Sequence, residues 1–146
     1  MIDVGQKLRK SYFDLLDGNI TYGGKIVPVV DEKLELNIND TELYILFTSQ
    51  NEVNVNTKSN WIREVEMAIR VVNHRQATNT KEAVENVSGQ ILNVLFPSKN
   101  SNAITLDAPL KLSMAVLMNS EYNPIVQTDT GFYVSKMLLI KNRVIQ

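Results

Sequence analysis

The chain has 146 residues, 44% hydrophobic and 21% charged, which is the size and balance of one ordinary globular domain. It has no cysteine, which excludes disulfides, thiolate nucleophiles and cysteine-type zinc sites. Its 15 basic residues face 16 acidic ones, a net charge of −1, so the basic excess typical of proteins that grip duplex nucleic acid through its phosphates is missing.

No apolar run approaches the ~20 residues that a membrane span needs. The first residues, Met1-Ile2-Asp3-Val4-Gly5-Gln6-Lys7, are polar and lack the apolar core of a signal peptide. The expectation is a single domain over 1–146, without membrane association, made in the cytosol or in a particle assembled there.

In chain order, Val4, Leu8, Tyr12, Leu15 and Leu16 recur at helical spacing and predict a first helix over 4–17. Asp3 and Gln6 provide a capping arrangement, and Gly18 a stop. Ile20-Thr21-Tyr22 and Lys25-Ile26-Val27 flank Gly23-Gly24, which reads as a tight hairpin. Pro28 cannot donate to a ladder, so the second arm sits at an edge or ends nearby. Residues 31–42 read as a connection. Leu43 to Thr48 is apolar on both faces and predicts a central strand. The polar stretch 49–60 reads as a flexible loop, the longest feature without a core signal.

From Trp61 to His74 the chain alternates. Arg63, Val65, Met67, Ile69 and Val71 fall on one side, and Glu64, Glu66, Ala68 and Arg70 on the other, predicting a long strand with one wet face. Asn79 or Thr80, with Glu82, can cap a second helix over 80–95 whose stripe is Val84, Val87, Ile91 and Leu95. Pro97 follows its end, and 98–110 is irregular. Leu112, Met114, Val116 and Met118 then alternate, a turn follows near Asn123-Pro124, and Ile125-Val126-Gln127 continues or ends this arm. After Thr130-Gly131, a last strand carries Phe132, Val134, Lys136, Leu138 and Ile140 on one face. With no βαβ repeat, the expected class is α+β: an antiparallel, mostly four-stranded sheet, two helices on one face and a small N-terminal hairpin.

Residues that carry chemistry are few. His74 is the only histidine and has no carboxylates at ligand spacing, so it reads as a surface residue at a strand end rather than a metal ligand or base. Glu64 and Glu66 share a strand face. They suit acid–base work less well than a solvated face or a contact with Arg63 or Arg70 of a neighbour. Gly23-Gly24-Lys25 is not a phosphate loop, because a strand follows it instead of a helix. Tyr22, Tyr44, Trp61 and Tyr133 lack the interleaved cations of a base-stacking surface. Trp61, entering a strand after a polar loop, is a candidate anchor for protein contacts. No catalytic, metal or cofactor-binding set emerges, and no enzyme activity or cofactor is expected. The residues that fit a monomer core least well are Gly23 and Gly24 in the hairpin and Asn51, Val53, Val55, Thr57, Lys58, Trp61 and Arg63 in the loop and its exit. These are the candidate subunit contacts.

Three blocks carry a family resemblance: Gly23 to Glu32 with Lys25-Ile26-Val27-Pro28-Val29-Val30-Asp31, Leu43-Tyr44-Ile45-Leu46-Phe47, and Thr57-Lys58-Ser59-Asn60-Trp61 leading into Arg63-Glu64-Val65. Their succession, between an N-terminal helix and two closing strands, resembles the tail-terminator and tail-completion proteins of tailed bacteriophages. The resemblance implies a non-enzymatic virion subunit of a homo-oligomeric ring, a hexamer or dodecamer, in the neck at the head–tail junction. It implies neighbouring connector or stopper rings and tail proteins as partners, with DNA passing through the lumen without specific binding. A stopper or connector ring beneath the portal of a short-tailed phage is the alternative within this class. A small hydrolase using Glu64, Glu66 or His74, and a nucleic-acid-binding module, are the alternatives outside it.

Overall fold

The structure is a computed structural model describing residues 3–31, 43–75, 81–123, 125–128 and 131–146. Helix α1 runs Val4–Leu16. The Asp3 carboxylate accepts from the Gln6 backbone N–H at 3.0 Å, satisfying one of the donors that a helix start leaves open. Val4, Leu8, Tyr12 and Leu16 are fully buried along its inner stripe. The chain then forms a two-stranded hairpin, β1 (Thr21–Tyr22) and β2 (Lys25–Ile26), turning through Gly23 at φ +60° and Gly24 at φ +78°. Two consecutive left-handed residues are what a two-residue hairpin of primed type requires, and glycine adopts them without steric cost.

The remaining strands are β3 (Val29–Asp31), β4 (Leu43–Asn54), β5 (Ile62–Arg75), β6 (Lys111–Tyr122), β7 (Val126–Thr128) and β8 (Gly131–Ile145). They build one six-stranded sheet in the order β3-β4-β5-β8-β6, with β7 also paired to β8. Helix α2 (Glu82–Leu95) and α1 pack on one face and on each other. Val84, Val87, Ile91 and Leu95 are fully buried, as their spacing predicts. Opposite them lie Val65, Met67, Ile69 and Val71 of β5 and Leu138, Ile140 and Val144 of β8. The α+β class with two helices on one face therefore stands. The helix-capping pair Asn79 and Thr80 lies outside the described residues, and so does the connection over 32–42.

Four expectations need correction. The sheet has six strands, not four, and is mixed, because β3 runs parallel to β4, with Val29 opposite Ile45. Pro28 sits at the entry to this strand, where its carbonyl accepts from Ile45 N–H at 2.9 Å and its missing donor costs nothing. Residues 49–54 are not loop: β4 continues to Asn54, pairing Asn51 with Glu66 and Val53 with Glu64. Polar side chains there concealed a strand whose backbone bonds do not depend on them.

The face of β5 opposite the helices is wet only in part. Towards its end Ala68, Val72 and His74 are buried, with Val72 joining Val30 and Tyr44 in a second apolar cluster flanked by Leu46 and Tyr133. Finally, Leu112, Met114, Val116 and Met118 do not share a face. The register shifts between Leu112 and Met114 and again between Leu117 and Asn119, and each bulge reverses the alternation. Leu112, Ala115 and Leu117 pack against the core, while Val116 and Met118 are exposed.

Candidate oligomer-contact surface

The β4–β5 hairpin closes through residues 55–61. Val55 N–H donates to Ile62 C=O at 3.0 Å and Thr57 N–H to Asn60 C=O at 2.9 Å. Two side chains complete the turn: Thr57 Oγ1 accepts from Asn60 N–H at 3.1 Å, and Asn56 Oδ1 from Ile62 N–H at 2.9 Å. Such side-chain-to-backbone bonds replace ladder bonds where strands separate, which is why Asn and Thr suit these positions. Asn51, Val53, Val55, Thr57 and Lys58 are all exposed on this hairpin.

Trp61 and Arg63 are turned inward. Trp61 is half-buried against the core, its carbonyl accepts from Gln146 N–H at 3.0 Å, and the Arg63 guanidinium lies 4.9 Å from its ring centroid. Arg63 pairs across β8 with Val144, on the helix-bearing face, and its Nη1 donates to Glu52 Oε2 at 2.9 Å. Glu52 Oε1 accepts from Gln50 Nε2 at 3.0 Å. This chain of contacts lies directly over buried Gly5 at the start of α1, where a Cβ would run into Gln50 and Glu52. Gly23 and Gly24 belong elsewhere: their hairpin is fastened to α2, with Gln90 accepting from Thr21 N–H and donating to Thr21 C=O. The structure thus groups Asn51, Val53, Val55, Thr57 and Lys58 on one exposed tip. Trp61 and Arg63 are half-buried at the foot of this hairpin, and the two hairpins are held by different elements.

The paired carboxylates also find partners inside the chain. Glu64 lies opposite Arg143 on β8 and accepts from its guanidinium, with Nε at 3.2 Å, while its second oxygen is 3.0 Å from Lys141 Nζ. The Arg143 hydrogen bond, then that of Lys141, holds the Glu64 carboxyl below the ordinary carboxylate value. An ionised, doubly paired carboxylate is a poor general acid. His74 is not a surface residue: it is 7% exposed, because Tyr133 sits directly opposite on β8 and stacks on its ring with centroids 4.2 Å apart. Among the described residues no group of three or more His, Asp or Glu side chains is placed to hold a metal ion, and no helix is long and apolar enough to cross a membrane.

A second exposed surface was not singled out by spacing. Strand β6 ends the sheet, and among the described residues nothing pairs with its outer edge. Val116 and Met118 on this strand and Ile125 and Val126 beyond it are all exposed. Beside the strand runs a groove of about 580 Å³ between the end of α2 and β6, lined by Leu92, Phe96, Pro97, Ala115 and Leu117 among others. The signal was present as four apolar residues in a C-terminal arm, but the two bulges decide which of them face water.

No protein-family model and no curated protein matches the chain. Among solved structures it is similar to a chain of the "Virion of native gene transfer agent (GTA) particle", with a TM-score of 0.61 at 11% sequence identity. The superposition covers 98% of this chain and 95% of that one, so the two share a fold from end to end.

Proposed function

We propose that the chain is a non-enzymatic structural virion protein whose copies close into a ring at a head–tail junction, as a tail terminator or neck ring. The observation that carries this reading is the fold match to a chain of a virion particle, which covers 98% of this chain and 95% of that one. The motif blocks at 23–32, 43–47 and 57–69 support the more specific position in the neck. The exposed β4–β5 tip and the open sheet edge support assembly, because a head-to-tail contact needs two different patches on each copy, and rotation then closes the ring.

Connector or stopper rings on one side and tail proteins on the other are the neighbours this reading implies. DNA passes through the lumen without specific contacts, consistent with a net charge of −1 and with Lys141 and Arg143 already paired to Glu64. Assembly takes place in the host cytoplasm and the product resides in the virion.

Light scattering and negative-stain microscopy of the purified protein test the ring. The expected particle is an annulus whose mass is a whole multiple of 16.5 kDa, a hexamer or dodecamer. A chain that stays monomeric, alone and with the other neck and tail proteins of its own particle, refutes the proposal.

A further inference from the structure

The exposed apolar side chains are not scattered. Among the described residues seven large hydrophobics are exposed, and four of them, Val116, Met118, Ile125 and Val126, follow the β6–β7 margin of the sheet. Two more, Val53 and Val55, sit two residues apart on the hairpin tip formed by β4 and β5, with Val53 on the strand itself. In the order β3-β4-β5-β8-β6, strand β4 is separated from β6 by β5 and β8, so the two patches belong to opposite sides of one sheet.

We infer that the β6 margin is the seat for a second copy of this chain, and that the segment it receives is the Val53–Val55 tip of that copy. The inference rests on the ring reading above and specifies its contact. Four observations carry it. First, the tip is extended and nearly free of charge. Its exposed run 53–57 is Val-Asn-Val-Asn-Thr, and the neighbouring carboxylate of Glu52 is engaged by Arg63. Second, between its two bulges β6 offers a regular stretch, Met114 to Leu117, whose outer edge pairs with nothing among the described residues and on which an incoming strand can form backbone bonds. Third, the flanking groove beside Leu92, Phe96 and Leu117 accepts apolar side chains that such a strand turns towards α2. Fourth, the only cation of the tip, Lys58, meets a margin that carries exposed Glu121, a complementary pair. Pairing β6 with β6 of a second copy would leave Val53, with half its surface in water, and Val55 exposed in every subunit. A heterologous contact covers both patches and is the kind that closes by rotation.

The absence of cysteine makes this directly testable. Val53→Cys and Val55→Cys on the tip, and Val116→Cys and Met118→Cys on the margin, are made singly and as tip–margin doubles, then treated with a short dimaleimide. All four positions are exposed, and circular dichroism checks that each variant folds. The expected result is a ladder of covalent multiples for at least one tip–margin double variant, with the corresponding single variants remaining at 16.5 kDa on a denaturing gel. Efficient bridging of Val116→Cys with itself overturns the inference in favour of a two-fold β6 contact. Rings visible by microscopy without any tip–margin bridge overturn this contact while leaving the ring intact. A monomer under all conditions overturns both.

Discussion

The Tyr12 hydroxyl of α1 donates to Asn142 Oδ1 of β8 at 2.6 Å, with both side chains fully buried. Asn142 spends its own amide on Val65 C=O at 3.1 Å and Ile140 C=O at 3.3 Å. One polar pair therefore joins the first helix to the middle of the sheet across 130 residues of sequence, inside an apolar core. Such a pair stabilises only when every member is satisfied, so its removal is unusually informative.

Tyr12→Phe leaves the Asn142 oxygen buried without a donor. The expected cost is about 1–3 kcal/mol in denaturant unfolding, with the fold retained. Burial holds the Tyr12 phenol in its neutral form far above the ordinary value of 10.0. A raised native pKa means that the unfolded state ionises first, so this stability is complete below pH 10 and declines as pH rises beyond it. Unfolding midpoints measured towards alkaline pH should fall more steeply in the wild type than in Tyr12→Phe.

Glu64 titrates in the opposite sense. Its native pKa is depressed by Arg143 and Lys141, so the stability it contributes is present above the unfolded value of 4.5 and is lost as pH falls through the native one. Glu64→Gln should flatten the acid limb of the stability profile and make the unfolding midpoint less sensitive to salt. Thermal unfolding from neutral pH downwards, at low and high ionic strength, measures both.

Gly5 offers a test with a change of sign. Alanine normally favours a helix over glycine by roughly 1 kcal/mol. Here the added methyl meets Gln50 and Glu52 and must push Glu52 away from Arg63. Gly5→Ala is expected to destabilise the wild type, and to be neutral or stabilising in a Gln50→Ala/Glu52→Ala background, which removes both side chains the methyl meets. A mutant cycle in urea reads the difference.

The turn at the hairpin tip depends on Asn56 and Thr57. Asn56→Ala and Thr57→Ala each remove one side-chain-to-backbone bond, at an expected cost of about 0.5–1.5 kcal/mol. Hydrogen exchange should accelerate at the Ile62 and Asn60 amides, which lose their acceptors, before it does in the centre of β5.

Much of the architecture was legible. The stripes of α1 and α2 and the alternation of β5 through Val65, Met67, Ile69 and Val71 are local periodicities, and each matches the buried side of its element. The Asp3 cap and the Gly23-Gly24 turn were legible for the same reason: they answer to backbone geometry within four residues. The candidate surface was only half legible. Val53 and Val55 are candidate contacts on sequence grounds, but the strand that carries Val53 is not legible, because Asn and Gln side chains carry no strand signal when their backbone is paired. Trp61 and Arg63, two more candidate contacts, are half-buried: the Arg63 guanidinium lies over the Trp61 ring and pairs with Glu52.

The sequence by itself determined the two helices and their buried faces, the Gly23-Gly24 hairpin and the alternation of β5, because these depend on residues close to one another in the chain, and its composition determined the absence of thiol chemistry and the near-neutral charge. Only the tertiary structure decided the partners of Glu64, the burial of His74, the parallel placement of β3 and the exposure of Val116 and Met118. Each of these depends on strand register between segments that are distant in the chain. A single bulge in β6 exchanges which side chains face the core and which face water, and neither composition nor local spacing records where that bulge falls.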